Sequence, residues 1–277
     1  MENNLIKNIW IDSKIFENSI VGGITNSHKM HGLDSAYKIW EEANKTISNC
    51  NGNEEKLNQG FLSLKRAFNV TSMELRKNLG IDKIQHSSKK RAKDFLADLE
   101  YFEVIKTLTL NKYLNIRNLI EHENHSPPST EDCLSLSEYI WNYIRNTANI
   151  LNQFTEHITF SDAHHDNKIL FEYNIEKKGK NYFPHLYVTA LVQSDFISFV
   201  HKENSINVEK IKLLNKFDLK ERMEFKEEAN YMDDLRHTAF EGEILDQDAM
   251  AMYMKFSILP EYGGLNEVSI QSIFSKV

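Results

Sequence analysis

The spacing of apolar residues changes once along this chain, and this change constrains the fold more than any other feature. Up to about residue 155, apolar residues recur every three to four positions, the period of an amphipathic helix. Ile169, Phe171 and Tyr173 then alternate with polar residues, the period of a half-buried strand. The sequence therefore predicts an α+β protein, with an all-α helical bundle followed by a mixed α/β domain that contains an antiparallel sheet.

Turn and cap residues divide the first part into four predicted helices. Glycine is common at the left-handed position after a helix, and serine or threonine is common at the position before one. The expected boundaries are a turn near Asn49–Gly52, a C-terminal cap at Gly80, a start after Ser87–Ser88, an end at Pro127–Pro128 and an N-cap at Ser129 or Thr130.

The second part predicts a hairpin that turns at Gly179, with further strands over 186–192 and 196–200. Residues 207–240 are charged and compatible with a helix, and the alternating methionines Met250, Met252 and Met254 indicate a core strand. We divide the chain into three segments, with the change of period near 155–165. They are a lead segment 1–29, a helical domain 30–158 and an α+β domain 159–277 of unassigned role.

Composition excludes several classes of protein. The chain has 277 residues, of which 41% are hydrophobic and 26% are charged, which is typical of a folded globular protein. No apolar run approaches the roughly 20 residues of a membrane span, and the first residues contain no signal-peptide core. The two cysteines fit a reducing compartment. We therefore expect a cytoplasmic protein that does not bind a membrane.

Positive charge is concentrated in one stretch, although the net charge of the chain is −7. Residues 65–93 contain nine lysines and arginines against two acidic residues. Polyanion binding depends on such local charge, so this stretch predicts contacts with an RNA backbone. A solvated helix face is the alternative. The predicted RNA-binding residues are Lys65, Arg66, Arg76, Lys77, Lys89, Lys90 and Arg91.

The segment Arg117-Asn118-Leu119-Ile120-Glu121-His122 combines a permanent cation, an amide and an imidazole within six residues. Metal-independent RNA cleavage needs a base for the 2′-hydroxyl, a proton donor for the leaving oxygen and a cation near the phosphate. His122 and Arg117 are suited to these roles. The alternative is a surface ion pair between Arg117 and Glu121, with His122 as a polar residue near a helix end.

This segment resembles the Arg-Asn-x3-His motif of the HEPN superfamily, and the resemblance covers roughly residues 30–158. It implies a helical domain that dimerises, with two copies of the motif forming one cleft for metal-independent RNA cleavage. Arg117 and His122 are then catalytic, and Asn118 orients the site. The resemblance also implies a role in toxin–antitoxin or antiviral defence, with a cognate inhibitor or regulatory protein as a further partner.

Two other functions remain open at this stage. One is a non-catalytic HEPN-type module for dimerisation and protein interaction, and the other is a nucleotide-binding sensor.

Two polar groups have spacings compatible with a metal: one is His28, His31 and Asp34, and the other is Asp162, His164, His165 and Asp166. Neither set is complete, so we expect no metal and no cofactor.

Overall fold

A computed structural model of the chain describes residues 6–16, 19–25, 33–86, 95–108, 128–162, 167–203, 205–214 and 236–258. The chain divides into two compact units. The helical unit contains Ser27–Asp82 and Ser87–Asn152. The sheet unit contains Met1–Asn26, Lys83–His86 and Gln153–Val277.

The helical unit has four described helices, and their ends confirm three of the expected boundaries, the turn near Asn49–Gly52, the cap at Gly80 and the N-cap at Ser129. The start expected after Ser87–Ser88 and the end expected at Pro127–Pro128 involve residues outside the described ranges. Asn53 accepts a hydrogen bond from the Lys56 amide at 2.9 Å, and Gly80 (φ 58°) closes the same helix in the left-handed conformation. The Ser129 hydroxyl accepts a hydrogen bond from the Asp132 amide at 3.1 Å. The helices are α1 (Leu33–Ser48), α2 (Glu54–Leu79), α3 (Phe95–Tyr101) and α4 (Thr130–Gln153).

Helices α2 and α4 pack through a buried aromatic contact. The Phe68 and Tyr143 rings lie 4.9 Å apart, and the Tyr143 hydroxyl is hydrogen-bonded to the Ser72 hydroxyl at 3.0 Å. Tyr143 is fully buried, so this bond satisfies a polar group that is removed from water. The two cysteines, Cys50 and Cys133, are both buried free thiols in this unit.

Eight described strands form one sheet in which every neighbouring pair is antiparallel. The sheet confirms the predicted class, and the hairpin turns at Gly179 (φ 64°) as expected. The order across the sheet is β2-β3-β4-β5-β8-β7-β1-β6. The strands are β1 (Asn8–Asp12), β2 (Ile20–Thr25), β3 (Thr155–Asp162), β4 (Asn167–Lys178), β5 (Asn181–Gln193), β6 (Ile197–Ser198), β7 (Ser205–Leu213) and β8 (His237–Ile244).

The first residues of the chain contribute two strands to this sheet. Strand β1 lies between β7 and β6, with Ile9 opposite Val208, and strand β2 pairs with β3 at the other edge. Residues 8–12 and 20–25 therefore belong to the sheet, although the sequence analysis set residues 1–29 apart as a lead segment. Ile9 and Ile11 are fully buried, so strand β1 contributes side chains to the core.

One face of the sheet is covered by helix α5 (Gln247–Ile258). The Tyr253 ring stacks on Tyr173 at 5.6 Å, and its hydroxyl donates to the main-chain oxygens of Thr155 and Glu156 at 3.1 and 2.8 Å. Phe171 on the same face packs against Phe16 from a short 3₁₀ turn. We call this side of the sheet the inner face.

Three sequence expectations for this part of the chain are wrong. Residues 205–213 and 237–244 are strands, in which the buried Val208 and Phe240 point to the face opposite their charged neighbours Glu209 and Glu241. Met250, Met252 and Met254 lie on a helix, where burial at 249, 250, 253 and 254 follows the helical repeat. Of the predicted strand at 196–200, only Ile197–Ser198 pairs with the sheet.

Among the described helices, none combines the length and apolar composition that a bilayer span requires.

Candidate functional site

The three residues that the sequence assigns to catalysis, Arg117, Asn118 and His122, lie outside the described residues. The same holds for three of the predicted RNA contacts, Lys89, Lys90 and Arg91. Both segments belong to the helical unit, and the motif lies along the chain between α3 and α4. Their assigned roles stay predictions.

Two of the predicted RNA contacts lie on one exposed side of α2. Arg66 and Lys77 are both exposed, and eleven residues of helix separate them. At 100° and 1.5 Å per residue, the two side chains leave the helix within about 20° of the same direction and are roughly 16 Å apart along its axis. Met73 lies between them and is 56% exposed. Lys77 is also within 3.4 Å of the buried Glu74 carboxylate. The structure therefore brings these two cations onto one surface stripe.

Arg76 has a different environment. Its guanidinium carbon lies 3.9 Å from the centroid of the Phe95 ring, a cation–π contact that joins α2 to α3. Its side chain is half-buried, as is that of Lys65. Arg76 thus has a packing role that the basic patch alone did not indicate, and it does not share the stripe formed by Arg66 and Lys77.

The proposed metal groups lie mostly outside the described residues. Asp34 lies in the first turn of α1, whereas His28, His31, His164, His165 and Asp166 are not described. Within the described ranges, no group of three or more His, Cys, Asp or Glu side chains is arranged to hold a metal ion.

A cavity of about 380 Å³ opens on the outer face of the sheet, opposite α5. Ligand pockets have volumes of about 300–1,000 Å³, so this cavity is large enough for one small ligand group. Four neighbouring strands supply its charged and aromatic lining. These residues are Glu172 of β4, Tyr187 of β5, Lys210 and Lys212 of β7, and Glu241 and Glu243 of β8.

Strand register explains why these side chains meet. Tyr187 lies between Glu172 and Glu243 in one row across the sheet, because the pairing is continuous through β4, β5 and β8. The register between β7 and β8 shifts after Glu209, and Lys210 adopts a left-handed conformation (φ 53°) within this bulge. A bulge redirects the side chains of a strand, and here Lys210 reaches Glu243 across the row.

Glu243 is the most buried charge in the cavity lining, with 5% of the residue exposed. Its carboxylate accepts hydrogen bonds from His185 Nδ1 at 2.6 Å and from the Lys210 ammonium. Burial opposes ionisation of this group, but the hydrogen bonds and charges of Lys210 and His185 outweigh burial and lower its pKa. Glu243 is therefore an ionised group that joins β5, β7 and β8.

Stability is expected to depend on pH through Glu243. Because the pKa of Glu243 in the folded chain is below its ordinary value of 4.5, the ionised carboxylate stabilises the fold at pH values above 4.5. This contribution to stability is lost as the pH falls through the lowered pKa. We expect Glu243→Gln to unfold at a lower temperature at pH 7, with a loss of about 1–2 kcal/mol. Thermal unfolding at pH 7 and at about pH 3.5 measures the difference. If Glu243→Gln differed from the wild type by the same amount at both pH values, the result would contradict ion pairing by an ionised Glu243.

The periodicity of the sequence did not reveal this outer face. The available signal was the alternation of polar residues along each strand, at 172 and 174, at 185 and 187, and at 241 and 243. Alternation predicts an exposed face but does not indicate which strands are neighbours. The pairing of β5 with β8 joins residues that are 44 to 58 positions apart along the chain.

Comparison with protein-family models, with curated proteins and with solved structures finds no match to this chain.

Proposed function

We propose that the chain is a metal-independent endoribonuclease of the HEPN type. The observation that carries the proposal is the Arg117-Asn118-x3-His122 sequence, which lies within a unit whose described part is helical. HEPN-like organisation of residues 30–158 is part of the same proposal. RNA is the substrate, and no metal or cofactor takes part.

The proposed reaction is transesterification within the RNA. His122 takes the proton of a 2′-hydroxyl, whose oxygen then forms a bond to the adjacent phosphorus. Arg117 stabilises the negative charge that accumulates on the phosphoryl oxygens. The bond from phosphorus to the 5′-oxygen breaks, and a protonated His122 gives that oxygen a proton, so that one proton is taken and one returned. The products are a 2′,3′-cyclic phosphate and a 5′-hydroxyl, so atoms and charge balance without water.

Helix geometry favours a site that two protomers share. If residues 117–122 are helical, Arg117 and His122 differ in direction by about 140°, so one helix face does not present both. Two copies of the motif, related by a twofold axis, place an arginine from one copy beside a histidine from the other. We therefore propose a homodimer as the active form.

The exposed stripe on α2 supports a role in RNA binding. Arg66 and Lys77 lie in the helical unit that contains the motif. A separation of roughly 16 Å spans two to three phosphates of an extended strand. Cytoplasmic location, a defence role and control by a cognate inhibitor complete the proposal. Expression in cells separates a ribonuclease from an interaction module, because an active ribonuclease is expected to be more toxic than its His122→Ala variant.

The direct test is incubation of the full chain with total RNA in EDTA. We expect cleavage that EDTA does not inhibit, with 2′,3′-cyclic phosphate at the new ends, because the 2′-oxygen is the nucleophile. End chemistry is read by phosphatase and ligase sensitivity of the fragments. Metal-dependent cleavage, or fragments with 3′-hydroxyl ends, would contradict the proposal.

Two outcomes separate the alternative functions. A chain that is shown to be a dimer by light scattering, and that leaves RNA intact at the concentrations at which it dimerises, is an interaction module. A chain that leaves RNA intact but gains thermal stability with a nucleotide, by mass action, is a nucleotide sensor.

A further inference from the structure

Three rings follow one another along the outer side of β5. Phe183, His185 and Tyr187 occupy alternate positions of this strand and so point to the same side. The His185 and Tyr187 rings are nearly parallel, with centroids 6.0 Å apart and planes inclined by 12°. Tyr187 remains 39% exposed and lines the cavity. The outer face therefore presents a row of flat surfaces that ends at a concave pocket.

Lysines lie at both ends of this row. Lys83 and Lys178 lie 5.7 and 5.8 Å from the centroid of the Phe183 ring. At the other end, Lys210 and Lys212 line the cavity beside Tyr187. A row of rings with cations nearby suits single-stranded nucleic acids, because bases stack on exposed rings while phosphates contact the cations.

The polar groups of the cavity favour recognition of a base rather than of phosphate alone. Glu172 and Glu241 offer carboxylate acceptors next to Tyr187, and the Asn174 amide lies beside Glu172 at 3.2 Å. Carboxylates and amides form hydrogen bonds with the amino and imino groups on base edges. Lys178, Lys210 and Lys212 are each within ion-pair distance of a glutamate, namely Glu176, Glu243 and Glu241. Stacking is therefore the main source of affinity.

We propose that the outer face of the sheet binds single-stranded RNA, with one base stacked on the exposed Tyr187 ring in the cavity and the flanking nucleotides running along the row formed by His185 and Phe183. The choice of RNA as the polymer rests on the proposed ribonuclease function. The sheet unit is thereby a substrate-binding platform, which gives a role to the part of the chain that does not contain the motif.

The hairpin also supplies a matched control. Tyr182 is adjacent to Phe183 and has a lysine, Lys177, 6.0 Å from its ring centroid. Because neighbouring strand residues point to opposite sides, Tyr182 lies on the other side of the hairpin from the row. The two sides therefore have the same chemistry, an aromatic ring with a lysine, and only one of them continues to the cavity.

The test measures binding of a fluorescein-labelled single-stranded RNA of about 10 nucleotides in EDTA, on the full chain carrying His122→Ala to prevent cleavage. We expect Tyr187→Ala in this background to weaken binding about tenfold or more, because a base loses its stacking partner. Tyr187→Phe retains the ring and is expected to stay within about twofold of its parent, as is Tyr182→Ala. Thermal unfolding of each variant shows whether the fold is kept.

Salt dependence gives a second readout. Binding that depends on 6–10 phosphate contacts weakens by about 10³–10⁵-fold between roughly 50 and 200 mM salt, whereas the paired lysines of this face predict a loss below about 100-fold. A steep salt dependence with an unchanged affinity of Tyr187→Ala would assign binding to a basic surface and overturn the proposal. AMP binding as tight as that of the RNA would also overturn it, since a mononucleotide reaches only one ring.

Failure of this inference is distinguishable from failure of the ribonuclease proposal. Cleavage by the wild-type chain that is lost in His122→Ala but unchanged in Tyr187→Ala, together with unchanged binding, rejects the sheet platform alone. Binding that depends on Tyr187 in a chain that leaves RNA intact rejects the ribonuclease alone.

Discussion

Replacement of His122 by alanine is expected to lower RNA cleavage by about 10²–10⁴-fold, the range over which a positioned acid–base group accelerates proton transfer. The imidazole is the group in the motif whose ordinary pKa allows it both to take and to give a proton near neutral pH. Without it, the 2′-hydroxyl must lose its proton to water. Initial rates on a labelled RNA in EDTA, at matched protein concentration, measure the change.

His125 provides a matched control for this substitution. It is three residues from His122 along the same segment and lies outside the motif. We expect His125→Ala to cleave RNA within about threefold of the wild-type rate, since it lacks a role in proton transfer. Arg117→Lys is a sharper variant than Arg117→Ala because it keeps the charge but removes the planar two-donor geometry that suits a phosphate. Equal activity of His122→Ala and His125→Ala would reject acid–base catalysis by the motif.

Gly242→Ala is expected to destabilise the fold by about 3 kcal/mol, the upper end of the usual cost of overpacking. Gly242 lies between Glu241 and Glu243, so an added Cβ points to the inner face. There it would lie 2.5 Å from Val208 Cγ1 and 2.7 Å from the main-chain oxygen of Glu209. The main-chain oxygen moves only if β7 itself moves away from β8.

The measurement is the midpoint of thermal unfolding, with Glu241→Ala as the control on the same strand. Glu241 faces the outer side, and the Lys212 side chain that it contacts at 3.3 Å is 60% exposed, so loss of this ion pair changes stability by less than about 1 kcal/mol. Equal midpoints for Gly242→Ala and the wild type would contradict the close approach of the two strands. The expected loss also predicts weaker RNA binding at the cavity, because the bulge of β7 positions Lys210.

The helical unit could be predicted from sequence because its signals are local. The caps at Gly80 and Ser129 depend on residues within one turn, and the helical repeat of α2 is set by side chains on one segment. For α5 the same approach predicted a strand, because three methionines occupy alternate positions. The apolar residues between them, including Ala251 and Tyr253, are also buried, and this denser pattern fits a helix.

The sheet was predicted only in part because its pairings join distant residues. Strands β4 and β5 could be predicted, since a hairpin is local and Gly179 marks its turn. Strand β1 could not be, because Ile9 becomes buried only through its pairing with Val208. The outer face depends on the same long-range register, which places Glu243 beside His185 and Lys210. The motif that carries the catalytic proposal, in contrast, can be read entirely from six consecutive residues.

The pairing of β2 with β3 has a consequence for the order in which the chain folds. These strands are neighbours in the sheet, yet the whole helical unit lies between them along the chain. During synthesis, the local contacts of the helices form as soon as those residues leave the ribosome, whereas β1 must wait for β7, nearly 200 residues later. Chains interrupted between residues 122 and 205 therefore contain the proposed nuclease motif without the complete sheet, and the proposed RNA platform becomes available last.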